Sequence, residues 1–168
     1  MKIGLVGCGN ISDIYLANLS SVFTNASFYA CSDLDAEKVQ KAAQKYNIPH
    51  IMTFEEMLEC DEIDMILNLT TPKSHYTLSR QALLKGKHVY VEKPLALTYR
   101  EGKELLEIAD LKHVGVQFGQ LADELFEFCI IFQRMIVIRN SFAFDQLCQS
   151  VHCGVAIKFN SIRYDSLL

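Results

Sequence analysis

Gly7 and Gly9, one residue apart and set directly after the apolar run Ile3-Gly4-Leu5-Val6, can bring backbone N–H groups against a diphosphate. Gly7 permits a tight turn, and Gly9 removes the side chain that would otherwise stand between amide and phosphate. Asn10 and Ile11 then open a helix, where N–H groups and the helix dipole both favour an anion. Ser12 stands at the third small position of the motif, compact enough for helix and strand to pack closely.

Three further clusters carry groups that could act on such a ligand. Asp33 ends an apolar run about twenty residues beyond the glycines, where a carboxylate accepts hydrogen bonds from the two adenosine ribose hydroxyls. It repels a 2′-phosphate, and Leu34 supplies no cation to rescue one, so NAD is expected, with NADP as the alternative. The plainer alternative is that Asp33 and Asp35 only start the next helix. Asn68-Leu69-Thr70-Thr71-Pro72 follows another apolar run. Thr70 and Thr71 offer hydroxyls to cofactor phosphate or ribose while Pro72 stiffens the loop. The competing reading is an ordinary strand-to-helix turn with Ser74 as cap and His75 as a structural residue of the first turn. Glu92-Lys93-Pro94 comes straight after His88-Val89-Tyr90-Val91. A lysine there can bond to a substrate hydroxyl and help remove its proton as hydride leaves. By itself such a lysine is more often a solvated surface group.

These clusters need a frame that brings them to one edge. Strand patterns at residues 2–6, 28–32, 50–52, 65–69, 88–91 and 114–118 alternate with helical patterns near 11–19, 36–46, 54–58, 75–85 and 99–109. That alternation predicts an α/β fold, a doubly wound parallel sheet covered on both faces. In such a sheet ligands gather outside the carboxyl ends of the strands, where all four clusters fall. Local signals agree. Thr53/Glu56 and Thr98/Glu101 are spaced as capping boxes, and Gly86 stands where a helix ends in a left-handed residue. Pro49 and Pro94 fall beside strands rather than inside helices.

The chain has 168 residues, half of them hydrophobic, with a net charge of −4. That is room for one good domain with an appendage, and no basic cluster invites nucleic acid. Met1 leads straight into the first strand pattern without a charged-then-apolar leader, so no export is expected. The longest apolar run, 126–138, is broken by Glu127, Gln133 and Arg134 and is too short for a membrane span. Six cysteines without a CxxC pair, with Cys8 and Cys31 in core-like positions, fit a reducing cytoplasm. Cys148, His152 and Cys153 cluster, but at no zinc spacing, and no metal is expected. From Leu121 the pattern changes. The last 48 residues hold one glycine, no proline, three cysteines and seven aromatics, with apolar residues in clumps and no clean period. A helix over about 120–135 is the one element expected there.

Taken together, the residues resemble the glucose–fructose oxidoreductase/inositol dehydrogenase family, often called Gfo/Idh/MocA. Gly7-Cys8-Gly9-Asn10-Ile11, Cys31-Ser32-Asp33, and Asn68 to Pro72 with His75 downstream all match. The most specific match is Gly86-Lys87-His88-Val89-Tyr90-Val91-Glu92-Lys93-Pro94 at its spacing from His75. The resemblance covers residues 1–118 and implies a Rossmann NAD(P)-binding domain. In the family this domain precedes a larger α/β domain, and hydride passes between nicotinamide and a hydroxyl-bearing carbon of a sugar or polyol. It also implies that Lys93 is catalytic and near the nicotinamide ribose, with Glu92 on the cofactor side and a cis Lys93–Pro94 bond. Gly7, Gly9, Asn10, Ile11, Asp33, Thr70, Thr71, Pro72, His75 and Pro94 are the remaining expected cofactor contacts.

The family's second domain carries an Asp-x3-His pair, which Asp145 and His152 do not reproduce. Residues 119–168 are therefore expected to be an atypical, non-homologous tail standing in place of the substrate domain of a truncated member, as a frameshift or decayed gene would leave. Apolar surface left uncovered by that loss would favour self-association. Two function classes follow: an NAD(P)-dependent oxidoreductase, or a nucleotide-binding domain without turnover of its own.

Overall fold

The structure, a computed structural model, describes residues 1–22 and 26–118. The expected helix near 120–135, the Cys148/His152/Cys153 cluster and the Asp145/His152 comparison lie outside the described residues. Six strands form one parallel sheet: β1 (Lys2–Val6), β2 (Ser27–Ser32), β3 (His50–Ile51), β4 (Met65–Asn68), β5 (His88–Val91) and β6 (Val116–Phe118). Their order is β3-β2-β1-β4-β5-β6, all neighbours parallel. This is the doubly wound order, whose direction of winding reverses between β1 and β4 and leaves a crevice at their carboxyl ends.

β1, β4 and β5 read as continuous apolar runs because helices cover both faces of a parallel sheet. Ile3, Leu5, Met65, Ile66, Leu67, Val89 and Val91 are wholly buried in the sheet. Met57, Leu83 and Leu105 join Ile66, Val89 and Val91 in one core cluster from α3 (Phe54–Glu59), α4 (Pro72–Leu84) and α5 (Tyr99–Lys112). The other two helices are α1 (Ser12–Val22) and α2 (Ala36–Tyr46). Among the described residues no helix is long and apolar enough to cross a membrane.

Both capping boxes form, with Thr53 accepting from the Glu56 N–H and Thr98 from the Glu101 N–H while each glutamate returns to its cap. Gly86 adopts the left-handed conformation that ends α4. One expectation is corrected at the other end of that helix. α4 starts at Pro72, not His75, and Thr71 rather than Ser74 is its N-cap. Proline's fixed φ suits the first helical position, where its missing N–H costs nothing. α5 runs three residues beyond the expected end because His113 takes a left-handed cap without being glycine.

Lys87 is 7% exposed, and its ammonium donates to the Cys60 carbonyl at 2.7 Å and the Ile63 carbonyl at 2.8 Å. It ties the segment before β4 to the segment before β5, at the sheet edge away from the crevice. Lys87→Met keeps the aliphatic stem and orphans both acceptors, so urea unfolding should show a loss of about 2 kcal/mol.

Candidate functional site

Each glycine of the opening motif is explained by a different surrounding. Gly7 has φ +96°, and a Cβ there would lie 2.7 Å from the carbonyl carbon and oxygen of Leu69. Its N–H donates to the Ser32 carbonyl at 2.8 Å, so the turn stays tied to β2. At Gly9 a Cβ would meet nothing within 4 Å among the described residues, and φ is not positive. No described residue packs there in a way that demands a glycine. The Ser12 hydroxyl and N–H both donate to the Gly9 carbonyl, at 2.6 and 3.1 Å, which turns the chain into α1. Among the described residues no protein acceptor faces the N–H groups of Gly9, Asn10 or Ile11.

Asp33 and Asp35 do different things. Asp35 is the N-cap of α2, accepting from the Glu37 and Lys38 N–H groups, and those bonds hold its carboxyl below the usual range. Asp33 reaches back over the glycine turn and accepts from the Cys8 N–H at 2.6 Å, with its other oxygen on the Asp35 N–H at 2.9 Å. Each of those oxygens keeps lone-pair capacity for a further donor. Beside it Leu34 is fully exposed. The Cys8 thiol beneath the turn is pushed up by its bond to the Cys31 sulfur and by burial, and stays neutral.

The loop after β4 is pinned from below. Asn68 is fully buried, donating to the His75 carbonyl and the Ser79 hydroxyl while its oxygen accepts from the Thr70 hydroxyl at 2.6 Å and the Thr70 N–H at 3.2 Å. Thr71 and Pro72 are exposed at the mouth of the loop. His75, by contrast, is 1% exposed, its Nδ1 2.7 Å from the Pro94 carbonyl and its Nε2 2.9 Å from the Thr70 carbonyl. Both ring nitrogens are thus committed to backbone, and neither is open to a ligand.

Glu92, Lys93 and Pro94 stand just past β5, joined by a cis Lys93–Pro94 bond. The Glu92 carboxylate accepts from the Tyr15 hydroxyl and from the Lys93 N–H. Lys93 is exposed, and among the described residues no carboxylate pairs with its ammonium. Tyr15 has no place in the sequence reading, yet it bridges α1 to this loop, its ring edge-on to Tyr90 at 5.9 Å. Burial, then the bond to Glu92, pushes its phenol well above the ordinary value. The signal was present: Ser12, Tyr15, Leu16 and Leu19 share one helical stripe facing the sheet. The strand order β2-β1-β4-β5 therefore sets Asp33, the glycine turn, the Thr70 loop and Lys93 in that sequence along the carboxyl edge of the sheet.

A family model described as an oxidoreductase family with an NAD-binding Rossmann fold matches residues 1–120. Among curated proteins, an oxidoreductase of Formosa agariphila is 28% identical over 123 residues, spanning 73% of this chain and 38% of its own. Myo-inositol 2-dehydrogenase of Thermotoga maritima is 29% identical over 113 residues, spanning 64% of this chain and 32% of its own. The crystal structure of a Clostridium difficile dehydrogenase superposes with a TM-score of 0.64 at 30% identity, covering 71% of this chain and 39% of that one. The chain thus spans between 32% and 39% of the length of these relatives.

Proposed function

The chain belongs to the Gfo/Idh/MocA oxidoreductase family, and from that premise we propose that residues 1–118 bind NAD as the cofactor half of a dehydrogenase acting on a polyol or sugar hydroxyl. The observation that carries this reading is Gly9: among the described residues no packing partner and no positive φ requires a glycine there, and the N–H groups beside it meet no protein acceptor. A diphosphate fits there, held by the turn from Gly7 to Ile11 and by the first turn of α1. Asp33 takes the adenosine ribose hydroxyls while still bracing Cys8, and the exposed Leu34 offers apolar cover to the adenine. Thr70, Thr71 and Pro72 wall the middle of the crevice. Glu92, Lys93 and Pro94 receive the nicotinamide end.

NAD when bound supplies a hydride acceptor at C4 of its nicotinamide ring. Lys93 is the catalytic residue of this half: its side-chain nitrogen holds the substrate hydroxyl and, as the free amine, takes up the proton that the oxygen releases as hydride leaves the carbon. Polyol is the favoured substrate class because the Thermotoga maritima relative is an inositol dehydrogenase. The family match ends at residue 120, which favours a second reading, a nucleotide-binding domain that needs another chain or domain for turnover. The free thiols of Cys8, Cys31 and Cys60 suit a reducing cytoplasm. Neither nucleic acid nor membrane belongs to the reading, whereas self-association through exposed Ile14, Leu97 and Tyr99 does.

Fluorescence titration separates these readings. NADH should saturate the protein, and NADPH should bind at least about tenfold more weakly because Asp33 opposes a 2′-phosphate. Inositol-dependent NADH formation that disappears in Lys93→Ala identifies the enzyme; saturation without turnover identifies the binding domain. A protein that NADH does not saturate overturns both.

A further inference from the structure

His75 is the buried titratable group that the cofactor reading leaves without a task. It sits in the first turn of α4, yet its ring spans two loops that approach the crevice from different strands. Nδ1 meets the Pro94 carbonyl after β5, and Nε2 meets the Thr70 carbonyl after β4. A carbonyl oxygen only accepts, so a ring nitrogen that bonds to one must carry a proton. The shorter contact, 2.7 Å, is the one to Pro94, the residue after Lys93. The backbone of His75 is held as well, since its carbonyl accepts from the buried Asn68 amide, which in turn grips Thr70. The ring is therefore fixed before it touches the loop, and a fixed donor can hold a loop in register.

We propose that His75 is a positioning residue: by donating from Nδ1 to the Pro94 carbonyl it sets the Lys93–Pro94 loop, and so the Lys93 ammonium, against the nicotinamide half of the cofactor. This rests on the NAD reading and extends it, because it moves His75 from cofactor contact to support of the contact. Its effect falls on one half of the dinucleotide. The adenosine diphosphate half is held by the glycine turn and Asp33, which His75 does not touch.

Two isosteric variants separate the contacts. The side-chain amide of Asn overlays Nδ1, and that of Gln overlays Nε2. His75→Asn keeps a donor for Pro94, whereas His75→Gln keeps one for Thr70. Titrations use NADH and ADP-ribose, which lacks nicotinamide. His75→Gln should weaken NADH about tenfold, the size of one lost hydrogen bond, with ADP-ribose within about twofold of the parent. His75→Asn should stay near the parent for both ligands. A purely structural role would lower both ligands together, and that result overturns the proposal, as does Gln outperforming Asn or neither variant changing NADH. Ring-nitrogen NMR of the parent protein reads the same point without a variant: Nδ1 should carry the proton, and a bare Nδ1 refutes the assignment. A parent protein that binds ADP-ribose but not NADH removes the nicotinamide reading and this inference with it. A parent that binds both, with variants that do not discriminate, removes this inference alone.

Discussion

Gly7→Ala should lower the melting temperature by more than roughly 10 °C, the largest stability loss expected from a single methyl group in this domain. Two costs combine. The residue has φ +96°, which an L side chain adopts only at about 1–2 kcal/mol. The new Cβ would also stand 2.7 Å from the carbonyl group of Leu69 and 2.9 Å from the Thr70 N–H nitrogen. Those are backbone atoms and cannot swing aside as a side-chain tip would. The loop could retreat only by loosening the Leu69 N–H bond to the Val6 carbonyl, 2.8 Å long, which continues the β1–β4 ladder. Such overpacking costs about 1–3 kcal/mol more. Gly86 supplies the control. It also has positive φ, at +74°, but a Cβ there would meet no described atom within 4 Å. Gly86→Ala should therefore lose only the conformational share. Equal losses in the two variants would show that the contact with Leu69 carries no weight.

Much of this frame was legible because parallel strands buried on both faces leave apolar runs that cannot be mistaken for surface. All six strands stand where the sequence predicts them, with ends differing by two residues or fewer, although β3 is exposed at both of its residues and is no such run. The capping boxes were legible for a different reason: they are local, and four consecutive residues contain the whole interaction. Helix ends set by unusual residues were harder. Pro72 reads equally as a loop stiffener and as the first residue of a helix, and only the path of the chain decides. His113 ends α5 in a conformation that sequence assigns by default to glycine or asparagine.

The candidate site divides along the same line. Its glycines, Asp33, Thr70 and Lys93 could be named because each follows directly from the end of a strand. The contacts that hold them could not. Tyr15 meets Glu92 across 77 positions, and His75 meets Pro94 across 19. Both depend on which face of a helix turns to which loop, a matter of packing that no short motif records. Position in the motif accordingly sets His75 among the ligand contacts, whereas its ring is turned inward.

Gly9→Ala should move stability and binding in opposite directions, which makes it the sharper test of the crevice. Its φ is not positive, and the added methyl would touch no described atom, so the fold has no reason to object. Replacing glycine at such a position narrows the unfolded ensemble and should leave stability unchanged or raise it by about 0.5 kcal/mol. On the proposed cofactor reading, the same methyl would stand between the N–H groups of Gly9, Asn10 and Ile11 and the phosphate they hold. Hydrogen bonds to an anion weaken steeply when the donor is pushed back, and losing one charge-assisted bond is worth about 2 kcal/mol. NADH affinity should therefore fall by at least about tenfold in a protein that melts no earlier than its parent. Joint loss of both would mean that Gly9 serves packing after all. Unchanged affinity would mean that no phosphate approaches this turn, and the cofactor reading would have lost the observation on which it stands.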